Sequence, residues 1–302
     1  MSSTLRLRRG SNSAPAERAA SVKRERSKLL SNLRLKLGSV ILAIFVIGSF
    51  TLPLFTTVDP SQQGTYFKNL PVSGQHLLGT NALGQDIFWF LVFAVRNSLL
   101  LGVITSIGIT IISTLVGLSA GYIGGWYERL IMLVIDAFIT IPVLPILIIL
   151  STLVRGNTSF LIVGVILIIF GWAWGARTVR SMALSLRERE FVNVARFSGA
   201  STFSIIIREI FPYVYAYVVV NFINTILFAI NTEAALAVIG LSKVEVPTLG
   251  SILFWALNYN ALFSGQITWL IGPIVATVLL FLGLFLTSTG YNEFSANRRG
   301  VA

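Results

Sequence analysis

The sequence predicts an all-α polytopic membrane protein with six transmembrane helices, and three observations carry that prediction. The chain of 302 residues is 55% hydrophobic and only 12% charged, about half the charged fraction of an ordinary soluble domain. Its apolar residues are gathered into uncharged runs that approach or exceed the roughly 20 residues a helix needs to cross a bilayer core. Counting six spans places both termini on one side, and nineteen of the 23 lysines and arginines then fall on that side, leaving Lys68, Arg96, Arg155 and Lys243. Such an asymmetry identifies the cytoplasmic face.

Residues 1–36 hold ten of the basic residues against two acids, Glu17 and Glu25, and read as a cytoplasmic tail. Its Ser, Ala and Arg content up to about Ala20 suits disorder; Ser21 to Lys36 suits a helix lying on anionic lipid. The basic region is too long, and lacks the small-residue cleavage site, for a removed signal peptide. The net charge of +11 is explained by orientation against membrane lipid, with no nucleic-acid partner. The absence of cysteine excludes disulfides, thiolate metal sites and a cysteine nucleophile.

Residues 37–289 are expected to form the membrane domain. Leu37 to Phe55 is the first span, followed by an external loop, 56–90, in which the lone His76 reads as a surface residue and Asp86 as a helix cap. Asn97 to Tyr127 is the second span, its Gly102, Gly108, Gly117 and Gly121 suited to close helix contact. Leu130 to Val154 is the third, with kinks expected at Pro142 and Pro145, and Gly156 to Ala176 the fourth. A cytoplasmic loop, 177–212, leads into the fifth span, which runs to about Leu241. An external loop, 242–265, with room for a half-buried helix, precedes the sixth span from Ile267 to about Thr287, and residues 290–302 form a cytoplasmic tail. Trp89, Phe90, Trp172, Trp174 and Trp255 read as interfacial anchors.

The chain is organised around the polar stretch from Arg187 to Pro212. As a helix, its first part places Phe191, Val194, Ala195 and Ser198 on one small apolar stripe, with Arg189, Asn193 and Arg196 opposite. Gly199 closes that helix in the left-handed conformation, and Ser201 or Thr202 caps the next. A short helix, a tight corner and a second helix leading to Pro212, where membrane-length apolar sequence resumes, are therefore expected.

Asn193-Val194-Ala195, three residues, Gly199, then Phe211-Pro212 resembles the cytoplasmic loop signature of ABC importer permeases, with Asn193, Val194 and Phe211 departing from the usual Glu, Ala and Leu. His76-Leu-Leu-Gly79-Thr80-Asn81-Ala-Leu-Gly84-Gln85-Asp86 is similar to a run of the dipeptide and oligopeptide class of these permeases, and Glu233-Ala-Ala-Leu-Ala-Val-Ile-Gly240-Leu241 resembles a third. The resemblance implies a type I ABC importer permease fold, and a coupling helix that docks into an ATP-hydrolysing subunit through Glu190, Phe191, Asn193, Val194, Ala195, Arg196, Gly199, Ala200, Ser201 and Pro212. It also implies a homologous second permease, one or two ATPase subunits and an extracytoplasmic solute-binding protein, at the cell membrane of a prokaryote. Cargoes of the class include peptides, oligosaccharides and nickel chelates.

Asp136 and Glu233 are the acids within spans, and each needs a partner or a wet path. For Asp136 the alternatives are an ion pair with Arg129 or Arg180, or a place on the path. Glu233 with Asn224 and Asn231 either lines a polar passage or serves as a local structural partner. No phosphate-binding Gly-x-x-x-x-Gly-Lys-Ser/Thr run is present, and neither a Ser-His-Asp set nor a metal-ligand cluster can be assembled around one histidine. A translocation subunit without catalytic residues, metal or cofactor is therefore expected. The contrasting class is an ion-driven secondary transporter working alone.

Overall fold

The computed structural model of the chain describes residues 32–153, 160–242 and 245–298. The expectations for residues 1–31, for the link between the third and fourth spans and for the last four residues lie outside that set.

Ten helices follow one another among the described residues: α1 (Leu33–Thr51), α2 (Ile87–Ile123), α3 (Gly125–Thr140), α4 (Val143–Leu153), α5 (Phe160–Arg187), α6 (Glu190–Phe197), α7 (Thr202–Ile205), α8 (Phe211–Val238), α9 (Leu249–Asn258) and α10 (Ile267–Arg298). Five stretches are long and apolar enough to cross a membrane, and the pair Gly125–Thr140 and Val143–Leu150, bent by 72°, makes a sixth when taken as one broken span. The chain is a multi-pass membrane protein.

Several boundaries move from where composition put them. The first span starts at Leu33, where Asn32 caps it by accepting from the Leu35 amide, and it ends in a 3₁₀ turn, Leu52–Phe55, around Pro53. α2 begins at Ile87, ten residues before the expected Asn97, so the outer loop is shorter than 56–90 and Arg96 lies inside a span. Charge was a poor boundary there because the Arg96 guanidinium lies over the Phe50 ring, 5.6 Å from its centroid. The third span is two helices because Ile141 is extended (ψ 118°) ahead of Pro142, the conformation that a following proline enforces. α5 continues to Arg187, eleven residues past Ala176, and absorbs the start of the 177–212 loop. The sixth span likewise continues as helix to Arg298, through much of the expected tail.

α2 is the central element. A Cβ at Gly117 would lie 2.6 Å from the Ala176 carbonyl oxygen, and one at Gly121 would lie 2.5 Å from that of Arg180. The bare backbone of α2 therefore rests directly on α5, while Gly108 faces Ile168 of α5, and Gly102 faces Ile226 and Ile230 of α8. In lipid, where no hydrophobic drive separates helix from tail, such close approach supplies the packing energy.

The loop before α2 is a folded cap. The Asp86 carboxylate accepts from the amides of Phe88 (2.9 Å) and Trp89 (3.1 Å), capping α2, and its other oxygen lies 2.7 Å from His76 Nδ1. His76 is thus buried rather than a surface residue. Gln85 donates to the carbonyls of Pro60 (3.0 Å) and Ser61 (3.1 Å), tying the cap across its width. The 242–265 segment contains α9, whose Leu249, Ile252 and Ala256 are buried against Ile87, Phe90, Ile230 and Trp269.

Candidate coupling elbow and polar residues of the path

Gly199 has φ +80°. Its amide donates to the Arg196 carbonyl (3.1 Å) and the Ala200 amide to the Ala195 carbonyl (3.1 Å). These two bonds are the Schellman closure of α6, in which a left-handed residue lets the chain satisfy carbonyls that a helix end leaves free. Ser201 then caps α7, accepting from the Ser204 amide at 3.3 Å. Glu190 sits in the first turn of α6 and Arg196 in the last, each with the sign that the helix dipole favours.

The second helix of this elbow runs on through Pro212 into the fifth span. α7 passes through a π-helical turn, Ile206–Ile210, into α8, and Thr202–Val238 forms one membrane-crossing rod. Pro212 lies in the first turn of α8, where a missing amide hydrogen costs little. A π turn widens the helix and frees it from strict α register, which lets the rod carry a proline without a break.

The face that α6 buries also differs. Val192 is fully buried among Leu118 and Tyr122 of α2, Val179 and Ala183 of α5, and Ile205, Ile210 and Val214, with Phe191, Ala195 and Ala200 packed against the same cluster. Phe191 stacks on Tyr213 at 4.9 Å between centroids, and the Arg196 guanidinium lies over Tyr122 at 5.9 Å. Of the apolar stripe, Phe191 and Ala195 are half-buried while Val194 is 64% exposed and Ser198 is exposed; Asn193, on the opposite side, is half-buried. Phe197 is 89% exposed and Phe203, beyond the corner, 74% exposed. Neither phenylalanine was singled out from the sequence, although an aromatic on each side of the corner glycine within a charged stretch was the available signal.

Around the elbow, Arg177 pairs with Asp136 and Arg180 with Glu128. The expected partners of Asp136, Arg129 and Arg180, are replaced by Arg177 because α5 extends past its apolar run and brings a second arginine level with α3. Asp136, within α3, is thus ion-paired on an exposed face of the chain.

Asn224, Asn231 and Glu233 do not form one polar surface. Asn224 and Asn231, two turns apart, are both exposed on α8, with Asn224 accepting from the Ser288 hydroxyl at 2.8 Å. Glu233 points the other way and is fully buried. It accepts from the hydroxyls of Thr248 (3.0 Å) and Ser242 (3.2 Å), both on Oε1.

Residues 113–300 match the model of the family described as "Binding-protein-dependent transport system inner membrane component". The chain is 33% identical over 185 residues to the oligopeptide transport system permease protein OppC of Mycobacterium tuberculosis (strain ATCC 25618 / H37Rv), which is 61% of this chain and 63% of that relative. The protein of the same name from Lactococcus lactis subsp. lactis (strain IL1403) is 27% identical over 271 residues, 88% of this chain and 90% of the relative. The dipeptide transport system permease protein DppC of Bacillus subtilis (strain 168) is 29% identical over 248 residues, 78% and 77% of the two chains.

Proposed function

Because the chain belongs to the family of binding-protein-dependent transport system inner membrane components, we propose that it is a permease subunit of an ATP-driven importer of peptides. On this reading it forms half of a translocation path with a homologous second permease. One or two separate ATPase subunits supply the energy, and an extracytoplasmic binding protein delivers the cargo. The termini and the elbow lie in the cytoplasm. The names of the relatives favour dipeptides and oligopeptides over oligosaccharides or nickel chelates.

The elbow is the observation that carries the reading. A short helix held by a buried apolar face, turned sharply at Gly199 and presenting Val194, Phe197 and Phe203 outward, has an anchored side and an exposed apolar side rimmed by charge. An exposed apolar cluster with a polar rim is the composition of a protein-binding surface. In its centre the large side chains would fill a cleft of the ATPase, and Arg189, Glu190 and Arg208 would lie at the rim, setting orientation more than affinity. ATP binding that draws two ATPases together would move the elbow, and through it the helices, by favouring one of two arrangements. An ion-driven mechanism finds no specific support, since Asp136 is ion-paired and Glu233 is hydrogen-bonded away from Asn224 and Asn231.

Gly199→Asp tests the reading in the assembled transporter. A side chain at φ +80° is strained even though a Cβ there meets nothing within 4 Å, so the corner is disturbed without a clash in the membrane domain. Import of a labelled tripeptide mixture by membrane vesicles is expected to be abolished while the subunit still inserts at normal abundance. Import at the unmodified rate would remove the elbow from the mechanism.

A further inference from the structure

Among the described residues Glu233 is the one acid enclosed completely, and a carboxyl group in that position is costly unless its hydrogen bonds are placed well. An aliphatic side chain would fill the same volume at no such cost, so the geometry of its bonds is informative. Oε1 takes both hydroxyl hydrogens, from Thr248 and Ser242. Oε2 has no partner among the described residues. The two donors flank the link between α8 and α9. Thr248 is also the N-cap of α9, closing a capping box with Ser251, and Ser251 in turn donates to the Val246 carbonyl at 2.8 Å.

The same link is tied to α2. Asn97 donates to the Pro247 carbonyl at 2.8 Å, and the Ser98 hydroxyl accepts from the Leu249 amide at 3.0 Å. Behind it, a Cβ at Gly250 would lie 2.6 Å from both Ala234 Cα and Ala237 Cβ, so α9 starts directly against the backbone of α8. Apolar packing alone would hold α9 nearby but leave its rotation about α8 soft. Two hydroxyls converging on one oxygen fix that rotation, because buried hydrogen bonds are directional and expensive to leave unmade.

At its other end α8 belongs to the rod that begins at Thr202, three residues after the Gly199 corner. We propose that Glu233 is a positioning residue that fastens α9 to the outer end of this rod, so that movement of the elbow reaches the outer segment Leu249–Asn258. The proposal rests on the coupling reading given above and adds the outer end of the linkage.

The chain has no cysteine, so a single Glu245→Cys change, at an exposed position of the link, gives a reporter in the complete reconstituted transporter. Its rate of labelling by a membrane-impermeant maleimide is read without nucleotide and with a non-hydrolysable ATP analogue. The expected nucleotide response in the otherwise unmodified complex is on the order of fivefold. It is retained with Glu233→Gln, which keeps the reach and one acceptor oxygen, and lost with Glu233→Asp and Glu233→Ala, while ATP hydrolysis persists. A full response in the Ala background overturns the proposal, as does loss with Gln, which would make charge the determinant. Should Glu233→Ala fail to assemble, Thr248→Asn and Thr248→Asp decide: both cap α9, but only Asn offers Oε1 a donor, and equal responses overturn the proposal. No nucleotide response in the unmodified complex would instead remove the coupling reading, whereas a response that survives every substitution removes the fastening alone.

Discussion

Gly117 and Gly121 lie where α2 touches the backbone of α5, and a single methyl group is enough to test what they do. At Gly121 that methyl would meet a carbonyl oxygen at 2.5 Å, which cannot rotate away as a side-chain tip can. Gly121→Ala is expected to destabilise the protein by about 1–3 kcal/mol, the usual cost of overpacking, read as a lower melting temperature of the purified subunit in detergent. Gly48→Ala serves as the contrast, since Gly48 is helical and nothing lies within 4 Å of its Cβ. That change is expected to be neutral or to raise stability by up to about 1 kcal/mol. The role of these glycines was readable from their spacing, because small residues on a membrane helix have few uses. The partner of Asp136 was not. Which arginine reaches a carboxylate depends on how far α5 projects beyond its apolar run, and the eleven residues between Ala176 and Glu188 give no stop signal.

At the scale of the element, glycine and cap chemistry was legible and rotation was not. Gly199, Gly240 and Asp86 stand where their residue types indicate: at Gly240 the Leu241 amide reaches the Leu236 carbonyl at 2.9 Å in a second Schellman closure. The roll of α6 depends on what it packs against, and Val192, which a stripe drawn from Phe191 to Ser198 leaves out, faces Val179 and Leu118. That the elbow's second helix and the fifth span join at Pro212 was not legible for a related reason, since a proline in the first turn of a helix and one after its end look alike in sequence. Pro142 is the proline that does break a helix. Pro142→Ala removes the restriction on Ile141 and should let α3 and α4 approach one continuous helix in place of the 72° bend. The expected result is a subunit that assembles but imports at least about tenfold more slowly, the loss for which about 1.4 kcal/mol of misplaced equilibrium suffices. Unchanged import would mean that the bend is incidental.

For the whole molecule, the class of fold and the six crossings follow from the apolar runs and the charge bias, with the broken pair counted as one crossing. The sidedness proposed here has a direct check. Ser198→Cys and Gly74→Cys, both at exposed positions, are expected to react with an impermeant maleimide from opposite sides of intact cells: Gly74→Cys at once, and Ser198→Cys only after permeabilisation. The reverse order would turn the molecule over and detach the elbow from any cytoplasmic engine.

The rod from Thr202 to Val238 contains 37 residues, about 55 Å of helix against a hydrocarbon layer of about 30 Å. Each degree by which it swings on a pivot at its inner tip therefore sweeps the outer tip sideways by about 1 Å. On the coupling reading proposed above, a small change of tilt set at the corner thus becomes a far larger sideways displacement at the opposite end of the rod.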